Sequence, residues 1–254
     1  MSGVAGTGKP DSKRRLLPLM GALAMLIGAN AAWARVPEPY AYEAVELQAS
    51  PKVAKALFDG VDPNGLRIFT SENGVKMNVC EIFWAKSVTD QDVKTGSSKL
   101  VYPNLKPGAF VGLIHFLPEA DQEYRKDYRE QKLKAGYYTM RYGVMEAGIG
   151  EHGPEPGDFV VLSPAAFDHD PARVVPPNEL NHLSRMASHT KDPAVMSLIE
   201  VTTARKNFPD LTTDYAGTCV LQVKLHLKPR KGGSVQDLAI ALVVLTPLAE
   251  GEGS

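Results

Sequence analysis

The side chains with the clearest potential for chemistry lie between residues 146 and 170. Asp168, His169 and Asp170 are consecutive and combine oxygen and nitrogen ligands of the kind that hold divalent cations. Further ligand-type side chains precede them, namely Glu146, Glu151 and His152. The strand predicted over 158–163 would separate the two groups by ~20 Å, because a strand rises about 3.3 Å per residue. A metal site built from Asp168, His169 and Asp170 is therefore one hypothesis, and ordinary polar loop residues are the simpler interpretation.

Two neighbouring segments add candidates for ligand binding. Glu179 and His182 are three residues apart on a predicted helix, as in di-iron bundles, but those sites need two such pairs. On the strand predicted near residue 140, alternation places Tyr137, Thr139 and Arg141 on one face, where they could form a polar platform for a carbohydrate. The candidate ligand-binding residues are therefore Arg141, Asp168, His169, Asp170 and His182. No cofactor is predicted, although a divalent metal is compatible with residues 168–170.

Signatures of enzymatic chemistry are weak in this sequence. Residues 148–153 match the G-x-G-x-x-G fingerprint, but prolines and a new strand follow where a helix N-terminus would have to receive a pyrophosphate. There is no G-x-S-x-G elbow, and neither cysteine lies in a recognisable catalytic signature. Whether the protein is an enzyme stays open, with a non-enzymatic role favoured.

The N-terminus has the pattern of a secretory signal peptide. Basic residues precede an apolar run over 16–29, and Ala32-Trp33-Ala34 forms a cleavage site of the A-x-A type. The apolar run is shorter than the ~20 residues that a helix needs to cross a bilayer. We therefore expect cleavage after Ala34, export to the periplasm or the exterior, and a mature chain without a transmembrane span.

Charge and cysteine content narrow the classes of partner. Removal of residues 1–34 takes away four basic residues and one acidic residue, which leaves a net charge of −4 on the mature chain. A mildly acidic protein without a basic stripe is not expected to bind nucleic acid. Cys80 and Cys219 can pair in an oxidising compartment, but two separate buried thiols are an equally good interpretation.

The elements that would position these residues are mostly strands. Asn73-Gly74 between two β-type runs predicts a hairpin, 218–228 alternates polar and apolar residues, and 238–245 is apolar throughout, as in a central strand. Helical spacing occurs over 50–58 and 178–188, and the charged segment 119–132 fits either a helix or an exposed loop. We predict a single domain over 35–254, an antiparallel β-sandwich of jelly-roll or immunoglobulin-like type with about nine strands and one or two short helices.

Several motifs between residues 80 and 188 resemble those of a group of uncharacterised secreted bacterial proteins. The resemblance is carried by GYYTMRYG at 136–143, HG at 152–153 and DFVVLSPAA at 158–166, and it extends to CEIF at 80–83 and LSRMAS at 183–188. It implies export and a β fold. The group has no known activity, so the resemblance implies no catalytic residues.

Three functions are compatible with the sequence. The leading hypothesis is an exported, non-enzymatic β-sandwich that binds a small ligand or an envelope protein. The first alternative is a metal-dependent site built from the His/Asp loops, for which hydrolysis is one compatible reaction. The second is a structural subunit of an envelope complex, which the apolar C-terminal hairpin would favour.

Overall fold

The structure is a computed structural model, which describes residues 40–72, 75–89, 100–118, 124–127, 131–145, 157–201, 207–214, 217–229 and 233–245. All of these residues belong to one compact unit, Pro37–Ser254. The predicted signal peptide and the segment with Glu146, Glu151 and His152 lie outside the described residues.

The described residues form thirteen strands and two helices. The strands are β1 Tyr40–Glu46, β2 Asn64–Glu72, β3 Val75–Trp84, β4 Val88–Thr89, β5 Phe110–Phe116, β6 Tyr124–Lys126, β7 Lys132–Lys134, β8 Gly136–Met145, β9 Gly157–Pro164, β10 Val195–Ile199, β11 Asp210–Thr213, β12 Cys219–Lys228 and β13 Gln236–Leu245. The helices are α1 Lys55–Gly60 and α2 Pro177–Ser188. The protein is therefore mainly β, as predicted.

Ten strands form one antiparallel sheet that nearly closes into a barrel. Their order is β1-β2-β3-β5-β8-β9-β10-β13-β12-β11, while β4 joins β12 in parallel and β6 and β7 form a separate small hairpin. The two edge strands of this sheet, β1 and β11, approach each other. The Tyr42 hydroxyl on β1 donates a hydrogen bond of 3.0 Å to the carbonyl of Pro209, just before β11. The antiparallel part of the prediction is confirmed.

Along each strand, every second side chain points into the interior of the nearly closed sheet and fills it. Strand register aligns Ile82, Ile114 and Tyr138, while Met140 lies opposite Leu162 on the same side of the sheet. These side chains are buried and belong to one apolar cluster that also takes in β10, β12 and β13. The predicted central strand 238–245 is also confirmed, since β13 lies between β10 and β12 and its residues 240–244 are buried.

The intervening rows of side chains point to the opposite, outer face. Val161 on β9 and Arg141 on β8 are register partners on this face. Helix α2 covers part of it, because Leu180 packs with Val161 and Val195 in a second apolar cluster. The helix begins at Pro177 and ends at Ser188, and the next residue, His189, adopts the left-handed conformation with a φ of 55°.

Two predicted elements differ from the structure in extent. The helix predicted over 50–58 is the shorter α1, whose Leu57 is its one buried residue. The charged segment 119–132 is neither a helix nor one loop in its described part, because residues 124–126 and 132–134 pair as the β6-β7 hairpin. Periodicity did not indicate this hairpin, since three-residue strands are too short to show alternation.

The described part of the chain contains no helix that is both long enough and apolar enough to cross a membrane.

Candidate functional site

The candidate site is centred on Arg141, which lies on the outer face of β8. Strand alternation places its side chain on the same face as Thr139 and Tyr137. The chain leaves β9 at Pro164 and folds back across this face, so Asp168 meets Arg141. We call residues 165–176 the clamped loop. Arg141 is fully buried and Asp168 is 5% exposed, so the pair is removed from solvent.

The guanidinium group of Arg141 uses all five of its N–H donors. Nε donates to Oδ2 of Asp168 at 2.6 Å, and Nη2 donates to Oδ1 at 2.7 Å, which makes the pair bidentate. The remaining donors bind main-chain carbonyls: Nη2 binds Asp170 at 2.8 Å, and Nη1 binds Arg173 at 2.6 Å and Gly108 at 2.9 Å. The carboxylate also accepts a hydrogen bond of 2.6 Å from the Thr139 hydroxyl. Arg141 therefore joins three parts of the chain.

Both ends of the clamped loop are also attached through the main chain. The amide of Ala165 donates to the Tyr137 carbonyl at 3.0 Å, and the amide of Val175 donates to the Gly108 carbonyl at 3.1 Å. Gly108 has a φ of 85°, and a Cβ atom there would lie 1.9 Å from the Val175 carbonyl oxygen. Only glycine fits this close approach. The loop is thus fixed at its two ends and in its middle.

The side chains that the loop presents to solvent are different in kind. Phe167 is 55% exposed, and Val174 is also exposed. His169 is exposed, and its Nε2 contacts the Ala166 carbonyl at 2.5 Å. The Asp170 carboxylate is exposed and accepts a hydrogen bond from the Ala172 amide at 2.9 Å. A rigid main chain therefore carries apolar and titratable groups on its outer side.

The structure brings some of the predicted site residues together. Arg141 and Asp168 are in direct contact, and Asp170 joins them through its carbonyl rather than its carboxylate. His169 lies on the same loop, and His182 is exposed on α2. The carbohydrate platform is not assembled as the alternation alone suggested, because Thr139 and Arg141 are buried beneath the clamped loop.

The other predicted ligands and the cysteines are placed as follows. Within the described residues, no group of three or more His, Cys, Asp or Glu side chains is arranged to hold a metal ion. The carboxylate of Asp168 is bound to Arg141 and Thr139. Cys80 on β3 and Cys219 on β12 are both buried in the main apolar cluster. Their pairing remains a prediction, which counting of thiols in denaturant would test.

A second polar cluster, which the sequence did not indicate, runs across the outer face of five strands. Strand register aligns one residue from each strand: Glu43, Arg67, Glu81, His115 and Tyr137. We call these residues the outer row. Glu81 Oε1 accepts hydrogen bonds of 2.9 and 2.5 Å from Nε and Nη2 of Arg67. Its Oε2 lies 3.0 Å from Nδ1 of His115.

The outer row continues into an aromatic contact. The rings of His115 and Tyr137 are stacked, with centroids 3.9 Å apart and planes 4° from parallel. The Tyr137 hydroxyl donates to the Gln48 carbonyl at 3.2 Å, which ties the row to the segment after β1. The row thus links sequence-distant strands through side chains as well as through the main-chain ladder.

Electrostatics within the outer row favour the charged form of Glu81. Burial alone would raise the pKa of this carboxyl, but hydrogen bonds from His115 and Arg67, together with the charge of Arg67, outweigh it. The pKa of Glu81 therefore lies below its ordinary value. The hydrogen bonds that Arg67 donates to Glu81 correspondingly raise the pKa of Arg67.

A third polar cluster anchors the segment before β5. Asp158 is buried and accepts hydrogen bonds from the amides of Val101 at 2.8 Å and Tyr102 at 3.1 Å, and from the Tyr142 hydroxyl. The Tyr102 hydroxyl donates to the Ile199 carbonyl at 2.5 Å and accepts from the Ala241 amide at 3.0 Å, so it bridges β10 and β13. Burial raises the pKa of Tyr102 to about 12, and burial with the Asp158 contact raises the pKa of Tyr142 further.

These three clusters differ in what they can do. The donors of Arg141 are all used, and the Asp158 carboxylate holds main-chain amides, so both centres act on the fold rather than on a ligand. Of the predicted site residues, solvent reaches those on the outer side of the clamped loop and His182 on α2. Comparison with known protein families, with curated proteins and with solved structures found no match to this chain.

Proposed function

We propose that this is an exported, non-enzymatic binding protein that recognises a partner through the clamped loop. The observation that carries the proposal is the use of all five Arg141 donors, three of which hold residues of this loop and its neighbour Gly108 by their carbonyls. Fixing a loop before binding reduces the conformational entropy that association would otherwise cost. The side chain of Phe167, on the outer side of the loop, is of the kind that anchors interfaces.

The other polar centres support a binding role over a catalytic one. Arg141, Asp168 and Asp158 are buried and hydrogen-bonded within the chain, which is typical of structural groups. Export remains part of the proposal and rests on the N-terminal segment and on the resemblance to secreted proteins. The proposal includes the predicted β-sandwich. In that arrangement the nearly closed sheet is flattened, so that its two opposite halves pack face to face.

Site-specific photocrosslinking in the native host would test the proposal. A photoreactive phenylalanine analogue is placed at position 167, and a matched control carries it at Val235, which is also 55% exposed but lies before β13. We expect a discrete crosslinked product from position 167 alone. The product should decrease several-fold when Asp168→Ala releases the loop, because a mobile loop binds more weakly.

Two results would contradict the proposal. Identical crosslinking from both positions would show that position 167 is not a specific contact. A product that persists undiminished in the Asp168→Ala variant would show that the clamp plays no part in recognition.

A further inference from the structure

We draw no further inference here: the strongest candidate, the side-chain cluster of Glu81, His115 and Tyr137 in the outer row, carries none, because its hydrogen bonds and ring contact join strands of the sheet and nothing in the described part of the chain shows which ligand or partner would meet its exposed side.

Discussion

Two networks on the outer face of the sheet each contain an arginine and a carboxylate, but they differ in burial. In the first network, which we call the clamp, Arg141 is fully buried and Asp168 is 5% exposed. All five guanidinium donors of Arg141 are used. In the outer row, the side chains of Arg67, Glu81 and His115 are 30%, 9% and 19% exposed. The comparison shows that an arginine–carboxylate pair can fix a loop in one place and connect strands in another.

The physical reason is the cost of removing charge from water. A buried ion pair is stable only when its geometry is good and every remaining donor and acceptor is satisfied, and breaking one partner leaves an uncompensated charge. A partly exposed pair keeps some hydration, so its loss is less severe. We therefore expect the two networks to respond very differently to substitution.

The largest effect is expected for Asp168→Ala. Removal of the carboxylate leaves the Arg141 guanidinium buried without its counterion, which should lower the free energy of unfolding by about 3–5 kcal/mol. Urea denaturation measures the change, and limited proteolysis should show earlier cleavage within the clamped loop. Asp170→Ala is the matched control, because only the carbonyl of Asp170 contacts Arg141. If both variants lose the same stability, the clamp has no special role.

A smaller effect is expected for Tyr142→Phe at the third polar cluster. The variant removes one donor to Asp158 but leaves the amides of Val101 and Tyr102 in place. We expect a loss of about 1–3 kcal/mol, since a buried acceptor loses one of its hydrogen bonds. Tyr138→Phe is the control, because the Tyr138 hydroxyl donates to a carbonyl of Lys134 near the surface. A loss that is no larger than that of the control would count against a structural role for Asp158.

Within the outer row, Glu81→Gln should have a moderate effect that depends on pH. The pKa of Glu81 is lower in the folded protein than its ordinary value of 4.5, so the charged form is favoured by folding. The stabilisation is fully present above about pH 4.5 and is lost as the pH falls through the lowered pKa. We expect a loss of about 1–2 kcal/mol at neutral pH. The variant should also show a flatter decline in stability below pH 4.5, measured by denaturation across pH, and an unchanged profile would contradict the prediction.

The smallest effect is expected for Lys55→Met on α1. Lys55 and Asp59 form an ion pair of 2.6 Å whose side chains are 85% and 62% exposed to solvent. Such pairs contribute little, because hydration and side-chain entropy offset the attraction. The change should lie within the error of a denaturation experiment. If Lys55→Met lowered the free energy of unfolding as much as Glu81→Gln does, solvent exposure would not explain the difference between these ion pairs.

Parts of the fold could be predicted because they depend on local pattern. The hairpin around residues 73 and 74, the alternation over 218–228 and helix 178–188 correspond to the β2-β3 pair, β12 and α2. The arrangement of strands that are far apart in the sequence could not be predicted in the same way. The near closure of the sheet depends on β1 reaching β11, and no pattern within either strand encodes that approach.

The candidate site shows the same division. Residue type and position were enough to select Arg141 and Asp168, but the sequence suggested ligand or metal chemistry for them, whereas the structure shows that they bind each other. The outer row was missed because Glu43, Arg67, Glu81, His115 and Tyr137 come together only through strand register. Alternation could have shown that each is on one face of its strand, but it could not align the five strands.

By itself, the sequence determined which segments are strands and which faces of them are apolar, because side-chain periodicity follows directly from residue order. Only the tertiary structure decided that the segment after β9 folds back over β8, and therefore that Asp168 neutralises Arg141. The reason is energetic: a buried arginine must find its acceptors wherever the chain brings them, and these lie 27 to 33 residues away. Separations of that length are set by packing and not by local pattern.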